Sequence, residues 1–315
     1  MNDTVLVLSA ASMIAAGTPM LLAAIGEILA ERSGVMNLGI EGMMLISAAS
    51  GFWVTSETGS LALGMLVGIL AGILLASVHA VLAVSLRVNQ IISGLALVII
   101  GTGMSGFLGD ATTPKLTGRP PGARFSSFFP DGMTDLPIVG PLIFDHDVVV
   151  YLSWVIVAAA SYFLFRTRPG LSLWAVGDDP ATADAAGIPV VAIRYGATLL
   201  GGAMAGMAGA YLSIQILGTW QDSLTAGTGW IAFCLVIFSG WRPWRAMVAA
   251  YVFGALTTLG FTLQIIGFGV PTDFLAMLPF VMTVVVLAAI SSRPEAARRL
   301  GAPAALGRSF ARESR

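Results

Sequence analysis

Charge is what this sequence has least of. Only 10% of its 315 residues are Asp, Glu, Lys or Arg, against about a quarter in a soluble domain. Lysine is reduced to Lys115, in T-T-P-K-L-T, so there is no G-x-x-x-x-G-K-[ST] phosphate loop and no ATP hydrolysis by that route. Cysteine is reduced to Cys234, inside an apolar window, which excludes an internal disulfide and a metal site built on thiolates. It reads as a small buried hydrophobe. No H-E-x-x-H pair, Cys/His cluster or G-x-S-x-G elbow occurs. Neither a catalytic residue nor a metal-ligand set is expected. The start, Met1-Asn2-Asp3-Thr4, lacks the basic n-region of a cleavable signal peptide, so Thr4 onward reads as a permanent span.

What is present is apolar. Hydrophobic residues make up 57% of the chain and the mean hydropathy is +0.88. Windows without any charge run over Thr4–Gly26, Thr58–Leu86, Val88–Gly109, Val148–Phe165, Tyr195–Gln221, Ser223–Trp241, Ala246–Thr272 and Phe274–Ser292. A membrane-spanning helix needs about 20 apolar residues. The expected fold is an all-α, polytopic transmembrane bundle of about nine spans (8–10), near 5–27, 36–56, 60–86, 88–109, 147–165, 194–218, 224–240, 246–267 and 272–291.

Orientation follows from the arginines. With the N-terminus outside, Arg32, Arg87, Arg166, Arg168, Arg194, Arg242, Arg245, Arg293, Arg298, Arg299, Arg308, Arg312 and Arg315 fall inside, and Lys115, Arg119 and Arg124 outside. The C-terminus is then cytoplasmic. Residues 1–292 form one membrane domain with an outer loop at 110–147 and a cytoplasmic loop at 166–194; 293–315 form an Arg-rich cytoplasmic tail that reads as a topology signal. Phe125, Phe128 and Phe129 suggest that the outer loop dips toward the interface, and Trp53, Trp220, Trp241 and Trp244 read as interfacial anchors. A net charge of −1 gives no reason to expect nucleic acid.

The cytoplasmic loop carries its own helix punctuation. Asp179 is a good N-cap and Pro180 suits the first helical position. Gly187 suits the left-handed C′ position, and Pro189 blocks continuation. A two-turn helix is marginal alone in water, so a second protein is expected to hold it.

The second span is peculiar. Gly42 to Ser56 is too short to cross, so the helix either draws in Asn37 and Glu41 or is broken near Gly34, Gly39 and Gly42. If helical, Asn37 and Glu41 share a face. Glu41 has three readings: a reach back to the interface beside Arg32, a helix–helix hydrogen bond, or contact with a polar solute. Asn89, Gln90 and Ser93 open the fourth span and Gln215 lies in the sixth; with Asn37 and Glu41 they are the pathway candidates, inter-helix packing being the alternative. His79 reads as a satisfied core histidine. The small-residue run Gly201–Ala210 lets helices approach closely.

G-E-I-L-A-E-R-S-G-V-M-N-L-G-I-E-G-M-M (Gly26–Met44) resembles the signature of ATP-binding-cassette importer permeases of the branched-chain amino acid, ribose and nucleoside group, closest to the nucleoside and simple-sugar branch. R-V-N-Q-I-I-S-G-L-A-L (Arg87–Leu97), G-L-S-L-W-A-V-G-D-D-P-A-T-A-D-A-A-G-I (Gly170–Ile188) and G-T-G-W-I-A-F-C-L-V-I-F-S-G-W-R-P (Gly227–Pro243) agree with it. The resemblance implies a permease subunit in a bacterial inner membrane, without a cofactor of its own. Its implied partners are a second related permease chain, a cytoplasmic P-loop ATPase that holds ATP and magnesium, and an outer lipoprotein or soluble protein that delivers the solute. It places the ATPase-coupling loop at Gly177, Asp178, Asp179, Pro180, Ala183, Asp184 and Gly187. The alternatives are a branched-chain amino acid or ribose permease, a stand-alone secondary carrier or channel, and a structural or assembly subunit.

Overall fold

The computed structural model describes residues 3–116, 124–265, 271–292 and 301–311. The arginines at 119, 293, 298, 299, 312 and 315 lie outside them. Helices account for the described fold: α1 (Asp3–Arg32), α2 (Ile40–Thr58), α3 (Leu61–Ala80), α4 (Gln90–Leu116), α5 (Asp131–Thr134), α6 (Val148–Arg166), α7 (Arg168–Asp178), α8 (Pro180–Ala185), α9 (Val190–Tyr211), α10 (Thr228–Ser239), α11 (Pro243–Ile265), α12 (Thr272–Ala276) and α13 (Leu278–Ser291). Wider π-helical turns extend α3 to Ser85 and α9 to Leu217. No strand forms among the described residues; Ser127 and Asp147 make an isolated antiparallel bridge.

Five segments are long and apolar enough to cross a membrane: Ala11–Arg32, Leu61–Ser85, Gln90–Gly109, Val148–Arg166 and Val190–Leu217. They divide into two layers. The first and last are 78% and 83% buried within the protein, the other three 28–33%, so α1 and α9 form the centre while α3, α4 and α6 face outward. α2 joins the centre, buried from Ile40 to Phe52 against α3, α4 and α9. The outward face of α3 carries Leu63, Leu66, Leu70, Leu74, Val78 and Val81, all exposed. A surface stripe of that kind at helical spacing inverts the soluble pattern and suits lipid.

Glycine sets the central packing. α3 crosses α9 where Gly72 meets Gly202 and Gly206, and a Cβ on Gly72 would sit 2.8 Å from the Gly206 Cα and closer still to the Gly202 carbonyl oxygen. Gly72→Val should therefore lower the melting temperature of the detergent-solubilised chain, at a cost of about 1–3 kcal/mol for overpacking. Gly103→Val is the matched control, because a Cβ there meets nothing within 4 Å.

The structure decides one alternative, the broken second span, and corrects three expectations. Residues 33–39 are not helical, so Asn37 and Glu41 do not share a helix face; the chain turns at Gly34, whose φ of +87° is left-handed. α4 continues to Leu116, so the first residues given to the outer loop are helical. α10 has only 12 residues, about 18 Å, short of a bilayer core. Trp241 is buried, 4% exposed, with its indole donating to Glu31; it is an internal strut rather than an interfacial anchor.

Candidate functional site

Polar side chains gather where helices are interrupted and at the basic end of the bundle, which holds Arg32, Arg166, Arg168 and Arg194, among other places. Glu41, in the first turn of α2, joins the two broken segments. Its Oε1 accepts from the Thr225 hydroxyl at 2.5 Å and the Gly227 amide at 2.9 Å, and its Oε2 from the Gly229 amide at 2.7 Å. Gly227 is the N-cap of α10 and has no side chain to cap with. One carboxylate thus caps α10 from another helix, while it also lies near the positive end of its own. Gly229 must be glycine, because a Cβ there would lie 2.6 Å from Glu41 Oε2. A hydrogen bond between helices is therefore what the structure shows of the three readings of Glu41.

The 33–39 turn is held from three sides. Glu27 Oε1 accepts the Asn37 amide at 2.9 Å, and Asn37 Oδ1 accepts the Gly39 amide at 3.1 Å. Gln90 Oε1 accepts the Met36 amide at 2.7 Å. His79 Nε2 faces the Met36 carbonyl at 3.0 Å and Nδ1 faces the Ser93 hydroxyl at 3.0 Å. Since a carbonyl only accepts, the ring donates through Nε2 and accepts from Ser93. Asn37, Gln90 and Ser93 thereby belong to one buried cluster with Glu41 nearby on α2. The Gln90 amide nitrogen and Glu27 Oε2 are buried without a partner among the described residues. The other two pathway candidates stand apart. Asn89 is exposed and caps α4 by accepting the Ile91 and Ile92 amides. Gln215 exchanges hydrogen bonds with the backbone of Phe125 and pins the outer loop to α9's extension.

At the basic end, α7 and α8 form the loop between α6 and α9. The local chemistry is the one the punctuation predicts: Asp179 accepts the Ala181 and Thr182 amides at 3.1 Å each, Pro180 is the first helical residue, and Gly187 takes φ +82°. The Thr182 hydroxyl, at 2.6 Å, and then its amide hold the Asp179 carboxyl below the usual carboxylate range. α8 buries one residue, Ala183, against Val176, Val190 and Phe310, and presents Ala181, Thr182 and Ala185 outward. Gly177 is buried and Asp178 exposed, and they meet different partners. Gly177 lies so close to the Arg32 carbonyl that no side chain fits, and Asp178 Oδ1 accepts the Ala304 amide at 3.4 Å. Asp184 closes the helix through its carbonyl, which accepts the Gly187 amide.

Those partners reveal what sequence reading missed. Residues 301–311 form a strap across the basic end, not a free tail. Arg32 donates to the Gly301 carbonyl at 2.9 Å and Arg194 to the Arg308 carbonyl at 3.0 Å. Ala305 donates to the Gly177 carbonyl and Gly307 to the Gly34 carbonyl. Arg32 and Arg194 are both buried, 2% and 1% exposed, and Arg32 stacks 3.7 Å over Trp174. The strap therefore touches the α7–α8 loop, the 33–39 turn and the first turn of α9 at once. The apolar run A-P-A-A-L among arginines at 302–306 is the one sequence signal that such a tail is not fully solvated.

Among the described residues no group of three His, Cys, Asp or Glu stands ready for a metal. A family model described as branched-chain amino acid transport system / permease component matches residues 9–287. A Haloferax volcanii protein that carries the provisional name glucose ABC transporter permease protein TsgC13 is 39% identical, over 95% of this chain and 96% of its own. The nucleoside ABC transporter permease protein NupC of Lactococcus lactis is 33% identical over 88% of this chain and 90% of its own. The guanosine ABC transporter permease protein NupQ of Bacillus subtilis is 32% identical over 90% and 92%. No solved structure matches the chain.

Proposed function

The chain belongs to the family of branched-chain amino acid transport system permease components, and on that premise we propose that it is the permease subunit of an ATP-driven importer of nucleosides or simple sugars. The substrate class comes from the relatives, which are named for glucose, a nucleoside and guanosine. We place the chain in a bacterial inner membrane with about nine spans, N-terminus outside and C-terminus cytoplasmic. This counts α2, α11 and the short α10 and α13 among the membrane segments beside the five long apolar ones. The proposed partners are a second related permease, a cytoplasmic P-loop ATPase and an outer solute-delivering protein. Asn37, Glu41, Gln90 and Ser93 remain the proposed lining of the pathway.

The observation that carries the reading is α8. It is a capped two-turn helix at the basic end, with Ala183 alone buried and Ala181, Thr182 and Ala185 exposed, and it is linked through Gly177 and the strap to the turn that holds Asn37. Closure of a partner ATPase on ATP would move α8, and the strap would pass that motion to the 33–39 turn. Replacing Asp179-Pro180 with Gly-Gly removes the cap and the preset first turn. In the reconstituted complex, ATP hydrolysis stimulated by the delivery protein should fall severalfold while assembly is retained. Unchanged stimulation with normal assembly would take α8 out of the mechanism.

A further inference from the structure

We propose that the cleft between α6, α7 and α9 at the basic end binds one anionic phospholipid, with an acyl chain in the cleft and the phosphate on Arg168 and Arg166. The cleft measures about 460 Å³ and is walled by Leu29, Phe163, Leu173, Ile193, Gly196 and Leu200. Arg168 and Ser172 are at its polar margin, and no acidic residue lines it. Phe163, Gly196 and Leu200 sit within the apolar segments Val148–Arg166 and Val190–Leu217. The apolar part of the cleft therefore lies on segments long and apolar enough to cross a membrane.

The cations distinguish this groove from ordinary lipid-facing surface. Arg32 and Arg194 are buried and take backbone carbonyls. Arg168 lines the cleft, and Arg166 stands two residues before it at the α6–α7 junction, outside the lining; both are exposed and unpaired among the described residues. Arginine matches a phosphate by its forked donors, and a basic pocket between membrane helices selects acidic headgroups. α7 supplies the floor: Gly170, Leu173 and Val176 face the protein, and Leu171 is exposed at 61% beside the exposed Phe165, the arrangement of a helix lying in the interface. Gly196 leaves the groove open, since a Cβ there meets nothing within 4 Å. The site goes beyond the transport reading and does not depend on which solute is carried.

The test is native mass spectrometry of the full chain, purified in mild detergent and titrated with phosphatidylglycerol or phosphatidylcholine. Phosphatidylglycerol should be retained preferentially. Arg166→Gln and Arg168→Gln should each weaken it about fivefold, the worth of one arginine at an acidic membrane surface, and leave phosphatidylcholine unchanged. Gly196→Leu, which fills the groove on a helix that tolerates leucine, should remove the bound lipid while helicity and elution volume are kept. Equal retention of the two lipids, or retention of phosphatidylglycerol at the wild-type level by the Arg166→Gln/Arg168→Gln double variant or by Gly196→Leu, would overturn the proposal. So would loss of a copurifying protein chain, in place of lipid, from Gly196→Leu.

Discussion

Glu41→Ala should destabilise the chain by about 4 kcal/mol and abolish solute uptake. Three donors converge on the Glu41 carboxylate, two of them backbone amides that open α10. A hydrogen bond to a charged group contributes about 1.5–3 kcal/mol, and removing one partner leaves the others desolvated and unpaired. No water can replace the carboxylate readily, because Glu41 is 6% exposed and Gly229 closes over it. Glu41→Gln should fall between, since its carbonyl oxygen satisfies one side while its NH2 group confronts an N–H. The measurement is thermal unfolding of both variants in lipid nanodiscs, alongside uptake. Melting of Glu41→Ala at the wild-type temperature would mean that the carboxylate does not hold α10.

Deleting residues 301–315 should uncouple ATP hydrolysis from transport and loosen the basic end by about 2–4 kcal/mol. Two buried guanidiniums, Arg32 and Arg194, lose carbonyl partners in the strap, each such bond being charge-assisted. A milder variant separates the mechanical role from simple destabilisation. Ala305→Pro removes the amide that binds the Gly177 carbonyl and leaves both arginine contacts available. Hydrogen exchange should then rise at 177–178 and at 34–37 together, with ATP turnover no longer stimulated by substrate delivery. If exchange rises at 177–178 alone, the strap does not connect the loop to the 33–39 turn.

How far the sequence discloses this structure depends on how local each interaction is. The cap of α8 spans four residues, Asp179 to Thr182, and its accepting side chain is within three positions of the amides it caps, so punctuation rules find it. The crossing of helices is legible as glycine content in Gly201–Ala210, though not its partners on α3. The Glu41 cap is a different case. Two of its three donors are backbone amides 186 and 188 positions away, and an amide carries no sequence signature. The strap is hidden for the same reason, because Arg32 and Arg194 bind carbonyls of Gly301 and Arg308 rather than acids. Counted as charges, both arginines mark one side of a membrane; only packing shows that they are buried. Trp241 likewise fits an interfacial anchor by position and is turned inward by Glu31. Asn89 and Gln215 read as pathway residues from their polarity; the structure gives them hydrogen bonds at the start of α4 and to Phe125, which polarity alone does not disclose.

The most direct measurement is to tag this chain, isolate it gently from native membranes and identify what accompanies it. The account predicts a P-loop ATPase and a second, related permease in fixed proportion to the chain; when Asp179 through Gly187 are replaced by a flexible linker, the ATPase should be lost and the permease retained. A chain that emerges alone, or only with copies of itself, and whose uptake collapses with ionophores while surviving loss of any ATPase gene, would contradict it and make the protein a self-sufficient carrier.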